Sequence, residues 1–234
     1  MNRLGRGAVL LILGVVVAQL VLDGSFGAFV QQRMRIPLAV AAGTVVVLGL
    51  VDLAVALRER SDDELDRPVG PRVGWLLAAP VLVLVAVAPT SLGAAAADRV
   101  DSFEPSRPDD LAQLPENDPF AMQVLDFVTT ARWDETGALV GRRVILEGLV
   151  VNDADLPDGF HLTRFLVSCC AADGIPIKVT VRGVEEPFAD DQWVRAIVTL
   201  RESSAATDLN REVEVDVVEI VPAEAPASPY ESPF

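Results

Sequence analysis

The chain has very few of the side chains that most often do chemistry. Its 234 residues include two cysteines, Cys169 and Cys170, and one histidine, His161. A closed structural zinc site takes four ligands, so one built here must recruit a carboxylate or a partner's ligand. A hydrolytic triad is equally hard to draw. His161 finds serines at Ser168, Ser203 and Ser204, but there is no nucleophile elbow and no glycine-rich phosphate loop. No catalytic residue is assigned, and an enzyme is not expected.

Lysine is nearly absent too, one against eighteen arginines, a genome-level bias that carries no function. Positive charge is scarcest in the second half. Residues 98 to 234 hold eleven basic and twenty-seven acidic groups, a net charge of −16, whereas residues 1 to 97 balance at +1. Nucleic acid and anionic lipid surfaces would be repelled over a Debye length of about 8 Å, so neither is expected as a partner of this half. Metal cations and basic partners remain compatible with it.

The first half has long apolar runs: Gly7 to Leu22, continuing towards Val30; Ile36 to Leu57; and Val73 to about Ala97. Each can be drawn long enough to cross about 30 Å of hydrocarbon at about 1.5 Å per residue. The first also has the basic start and apolar stretch of a secretory signal, but two further runs favour a retained anchor. Three spans are therefore expected over residues 1–97. Arg3, Arg6, Arg58, Arg60, Arg67 and Arg72 fall on one side, and Arg33 and Arg35 on the other. That bias places the N-terminus in the cytoplasm and the acidic half outside the cell membrane. Asp23 and Asp52 lie in or at the edges of spans, where an ionisable group marks a pathway, a partner or an interface. Counting rise along antiparallel helices puts Asp23 near the outer face and Asp52 near the inner one, so they are not expected to pair with each other.

Residues 98–118 are acidic and proline-rich, as in Phe103-Glu104-Pro105-Ser106-Arg107-Pro108-Asp109-Asp110, and read as a tether. Asp118-Pro119 has the form of an N-cap followed by proline at the first helical position. The spacing of Phe120, Val124, Phe127 and Val128 then predicts a helix from about Pro119 to Trp133. Beyond Gly141 the period becomes two. Strands are expected at Val144 to Val150, His161 to Ser168, Ile177 to Arg182, Trp193 to Leu200 and Glu212 to Val217, with Gly148 as a bulge or bend. Five such strands behind one helix suggest a small β-barrel of the oligonucleotide/oligosaccharide-binding (OB-like) type over residues 119–221. The tail, residues 222–234, has proline at 222, 226, 229 and 233 and should lie extended along a surface or stay disordered.

Both cysteines fall in Arg164-Phe165-Leu166-Val167-Ser168-Cys169-Cys170-Ala171-Ala172-Asp173. On a regular strand adjacent side chains face opposite ways, but a break over Cys170 to Asp173 would turn both sulfurs and the carboxylate towards one point. Three readings stay open. Cys169, Cys170, Asp173 and His161 could hold zinc or another soft metal. The pair could form a strained vicinal disulfide and act as a redox switch. One cysteine could simply fill the core.

This signature, with Trp193-Val194 opening a strand and the closing Pro226-Ala227-Ser228-Pro229-Tyr230, resembles the YcgQ-like family of bacterial membrane proteins. Members are labelled subunits of two-component permease complexes. The resemblance implies an N-terminal membrane region, a C-terminal signature domain, a separately encoded multi-span permease as partner and an association with zinc homeostasis. It also implies a partner-facing role for the signature residues Arg164, Phe165, Trp193 and Tyr230.

Overall fold

A computed structural model describes residues 3–62, 91–100, 102–111, 113–184, 186–201 and 212–232. The chain divides into two compact units, residues 1–90 and 91–234.

In the first unit, α1 (Arg3–Asp23) and α2 (Arg35–Asp62) are joined by two short 3-10 turns. Both helices are long and apolar enough to cross a membrane, over Leu4–Asp23 and Gln32–Arg58. Small residues let them pack closely. A side chain on Gly14 would meet Val46 Cγ2 at 2.6 Å, and one on Gly49 would meet Leu11 Cγ at 2.8 Å. Close approach at glycine is the usual basis of helix pairing in an apolar solvent. Outward faces keep large apolar side chains exposed, among them Ile12 and Val15 on α1 and Val40, Val47 and Val51 on α2. The third apolar run, from Val73, lies outside the described residues up to its last seven.

Those last residues belong to the second unit. Ala94–Ala97 forms a single helical turn, α3, and Ala94 and Ala97 are buried against Leu149, Val151 and Phe165. The rest of this unit is β1 (Phe120–Ala121), α4 (Val124–Trp133), β2 (Arg143–Val151), β3 (Gly159–Leu166), β4 (Ile175–Arg182), β5 (Trp193–Leu200), β6 (Val213–Pro222) and β7 (Tyr230–Glu231).

The strands form one mixed sheet in the order β1-β2-β5-β6-β4-β3-β7, and β2 also pairs with β3. Pairing thus runs around a circuit of five strands, antiparallel except between β4 and β6. The alternation seen in the sequence explains the circuit. Val144, Leu146 and Val150 of β2 share one buried core with Phe160, Leu162, Val179, Val181, Val194, Ala196, Val198, Val213 and Val215. Gly148 is not a bulge, since its register with Val194 is unbroken. It is a point of close approach, where a side chain would meet Leu162 Cδ2 at 2.5 Å and the Thr163 carbonyl at 2.9 Å. The irregularity falls instead at Ile197/Val198.

Three sequence expectations are corrected around this sheet. The helix starts at Val124, not Pro119, because Phe120 and Ala121 pair in parallel with Val144 and Ile145 and bury Phe120. Asp118 does not cap it; its carboxylate accepts the Arg143 amide at 2.9 Å. The tether is not free along the residues described in it, since Phe103 and Leu114 pack on the core and the Trp133 indole donates to the Pro105 carbonyl. The tail, too, is partly interior. Tyr230 and Glu231 are buried and pair in parallel with Phe165 and Leu166.

Candidate functional site

β3 ends at Leu166, and the chain continues through Cys170, extended at φ −150°, into a 3-10 turn at Ala171–Asp173. This break gathers what a straight strand would separate. One ligand atom each from Cys169, Cys170 and Asp173 lies within 4.8 Å of the others. The two sulfurs are 3.7 Å apart, both as free thiols, with Cys169 exposed and Cys170 partly so.

Asp173 shapes the turn. Its Oδ1 accepts the Ser168 amide at 3.0 Å and its Oδ2 the Cys169 amide at 2.8 Å. Burial tends to raise the Asp173 carboxyl, but the Cys169 thiol and these amides outweigh it and hold the group below its ordinary value. The converse holds for the thiol. A hydrogen bond to Asp173, then one to Cys170, raises Cys169 to about 11. Without a cation the thiol stays protonated at neutral pH and is a poor nucleophile.

The turn sits on a second apolar cluster made of Phe165, Val167, Tyr230, Ala94 and Ala97, with Ala171 and Leu92 against it. Gly174 packs closely there, where a side chain would displace the end of Leu92, whose Cδ1 it would meet at 2.3 Å. The Leu92 amide in turn donates to the Tyr230 hydroxyl at 3.1 Å.

The other expected site residues fall elsewhere. His161 does not join the cysteines. It pairs with Thr180, five residues of β3 away from Leu166, about 17 Å at about 3.3 Å per residue. Its Nε2 lies 3.2 Å from Asp153, and its Nδ1 lies 3.0 Å from Glu212 and 3.2 Å from Thr180. Burial pulls the imidazole down, but Glu212 and then Asp153 more than offset it and raise its pKa. Arg164, Phe165 and Tyr230 are buried in the β-rich unit, and Trp193 is half-buried. The Arg164 guanidinium lies 5.0 Å over the Trp193 ring and donates to the Ser228 carbonyl at 3.1 Å. Asp52 pairs with Arg6 at 2.5 Å, and Asp23 accepts the Ser25 amide at 2.9 Å. Neither aspartate meets the other in these contacts.

Sequence reasoning missed Glu231. It is 5% exposed, and its carboxylate accepts the amides of Val124 and Leu125 at 2.9 and 2.8 Å, closing the first turn of α4 in place of an N-cap side chain. Arg164 Nε lies 3.7 Å from it. Burial pushes the Glu231 carboxyl up and lowers the Arg164 guanidinium, each opposed by the charge of the other. The only signal was a carboxylate beside the tail's tyrosine.

The donor set suits a soft cation. Two thiols and a carboxylate supply three ligands, and an external group must complete a tetrahedron. Chemically the turn could hold such an ion at the surface, and His161 is not available to it.

No curated protein matches the chain. Among solved structures, a DUF3299 family protein from Pseudomonas aeruginosa is 17% identical, with a TM-score of 0.29, covering 46% of this chain and 98% of that one. A protein described as an aspartyl-tRNA synthetase from Leishmania major is 11% identical, with a TM-score of 0.28, covering 63% and 26%. Neither likeness is close enough to bear on the fold. The match that bears on the family lies in the β-rich unit: residues 121–231 match the family model of the DUF1980 C-terminal domain, the name under which the YcgQ-like family is known.

Proposed function

We propose that this chain is a membrane-anchored accessory subunit of a two-component permease, held in the cell membrane by its N-terminal helices. One observation carries the reading: a DUF1980 C-terminal domain follows, in the same chain, two helices long enough to cross a bilayer. The N-terminus is cytoplasmic and, with the apolar run from Val73 as a third crossing, the β-rich unit is extracytoplasmic, a reading supported by the arginine bias around the apolar runs. The five-strand circuit is a small barrel of the OB-like type, supported by its pairing order and the parallel β4–β6 contact. The helices dock to the permease and the outer domain gates or supplies it.

Exchanging residues 1–62 for an unrelated two-helix anchor tests this. The exchanged chain should reach the membrane but no longer co-purify with a multi-span protein in mild detergent. Recovery of the same multi-span protein with either anchor would remove the docking role of the helices.

A second reading has its own observation, the gathering of Cys169, Cys170 and Asp173. In it the domain binds zinc or another soft metal as cargo, through two thiolates and a carboxylate. Metal analysis of the purified full chain should give about one ion, lost in Cys169→Ser/Cys170→Ser. Equal metal in both would exclude this turn.

A further inference from the structure

Residues 92–97 open the β-rich unit, and they are fastened to it beside the cysteine turn. The Leu92 amide donates to the Tyr230 hydroxyl at 3.1 Å, and the Ala94 amide donates to Asp191 Oδ1. Asp191 is held for this in the left-handed region, at φ 65°, with its own amide on the Val150 carbonyl at 3.0 Å. Ala94 and Ala97 are then buried in the cluster of Phe165, Val167 and Tyr230.

The same segment supports the turn. Leu92 fills the space beside Gly174, where a side chain would meet its Cδ1 at 2.3 Å and the Ala171 carbonyl at 3.2 Å. Two backbone bonds tie the turn together, from the Asp173 amide to the Cys170 carbonyl at 3.0 Å and from the Gly174 amide to the Ala171 carbonyl at 3.2 Å. Of these four residues, Cys170 and Asp173 offer ligand atoms, while Gly174 lies against Leu92 and Ala171 packs on the cluster that Leu92 joins. A shift of the ligands therefore shifts what Leu92 rests on.

We infer that occupation of the cysteine turn by a soft cation and the docking of residues 92–97 are coupled, each strengthening the other. The inference rests on the metal-binding reading of the turn. Its sign follows from the geometry: with the segment docked, one ligand atom each from Cys169, Cys170 and Asp173 already lies within 4.8 Å of the others, so an ion meets a preformed site and binds the docked form more tightly. Linkage makes the effect reciprocal, so docking strengthens the site by the same factor. Leu92 and Tyr230 are thus positioning residues, and neither offers the ion a ligand.

Amide hydrogen exchange of the full chain in mild detergent, with and without Cd2+, tests the coupling, because thiolate-to-cadmium absorption reports occupancy separately. At saturation the Leu92 and Ala94 amides should exchange more slowly by about five-fold or more. The Thr136 and Ala138 amides, bonded to Asp134 in an exposed turn, should keep their rates. Tyr230→Phe, which removes the acceptor of the Leu92 amide, and Leu92→Ala should each weaken Cd2+ binding several-fold, with protected strand amides showing that the variants are folded. Cys169→Ser/Cys170→Ser should abolish both the absorption and the slowing. Absorption without slowing, or equal slowing in the Asp134 turn, would overturn the coupling and leave the metal-binding reading standing. Unchanged Cd2+ affinity in both folded variants, while their Ala94 amide exchanges faster, would overturn it as well. No absorption at all would overturn the metal-binding reading and the coupling with it.

Discussion

The amide of Cys169 donates to Asp173 Oδ2 at 2.8 Å, so the carboxylate that offers a third ligand also bends the chain that presents the first. The same proximity sets the reactivity of the thiol. In metal-free protein, alkylation of Cys169 should rise with pH towards a midpoint near its pKa of about 11. Asp173→Ala removes the first cause of that elevation and should move the midpoint down, with faster alkylation at pH 8. Peptide-resolved mass spectrometry of iodoacetamide labelling checks this, and an unchanged midpoint would mean that Asp173 does not control the thiol.

Glu231→Gln leaves one helix amide and the buried Arg164 without a charged acceptor. A loss of about 1–3 kcal/mol is expected, the cost of unpaired buried polar groups. Adding Arg164→Met should cost less than the two separate losses combined, because the pair is coupled across 3.7 Å. Denaturant unfolding followed by tryptophan fluorescence measures the cycle. Strict additivity would show that the contact is energetically idle.

How much of this was legible in the sequence depends on how local each cause is. The five long strands were visible because Val179, Val181, Val213 and Val215 alternate with polar residues and all turn into one core. The gathering of Cys169, Cys170 and Asp173 was also visible as a break in a strand. β1 and β7 were not, since two residues have no period and their pairing is set by distant Val144 and Phe165. The helix start was misread for the same reason. Asp118-Pro119 is a good local start signal, but the true cap is Glu231, supplied from the far end of the chain. His161 fell away from the cysteines because strand register, which composition does not encode, places it at the other end of β3.

His161 gives the domain a pH dependence of definite sign. Its pKa is raised in the folded state, so its contribution is fully present below the unfolded value of about 6.5 and is lost as pH rises through the folded one. Glu212 is held below its ordinary value, so its share is lost only in acid and does not offset this trend. Thermal unfolding midpoints should fall between pH 6 and pH 8, and His161→Gln should flatten that slope. A slope unchanged by the substitution would assign it to other groups.

Gly148→Ala places a methyl group 2.5 Å from Leu162 Cδ2 and 2.9 Å from the Thr163 carbonyl, where the backbone cannot yield cheaply. The expected loss is about 1–3 kcal/mol, as for overpacking. Gly43→Ala, in the interior of α2 with nothing within 4 Å, should cause no loss by the same unfolding measurement and stabilise its helix by up to about 1 kcal/mol.

Native mass spectrometry of the full chain, extracted from its own membranes in mild detergent, tests the accessory-subunit reading most directly. The expected result is a complex in which this chain and one multi-span membrane protein occur in a fixed ratio, retained after removal of excess detergent. A spectrum containing only this chain, alone or with copies of itself, from membranes in which the protein is intact and folded, would contradict it.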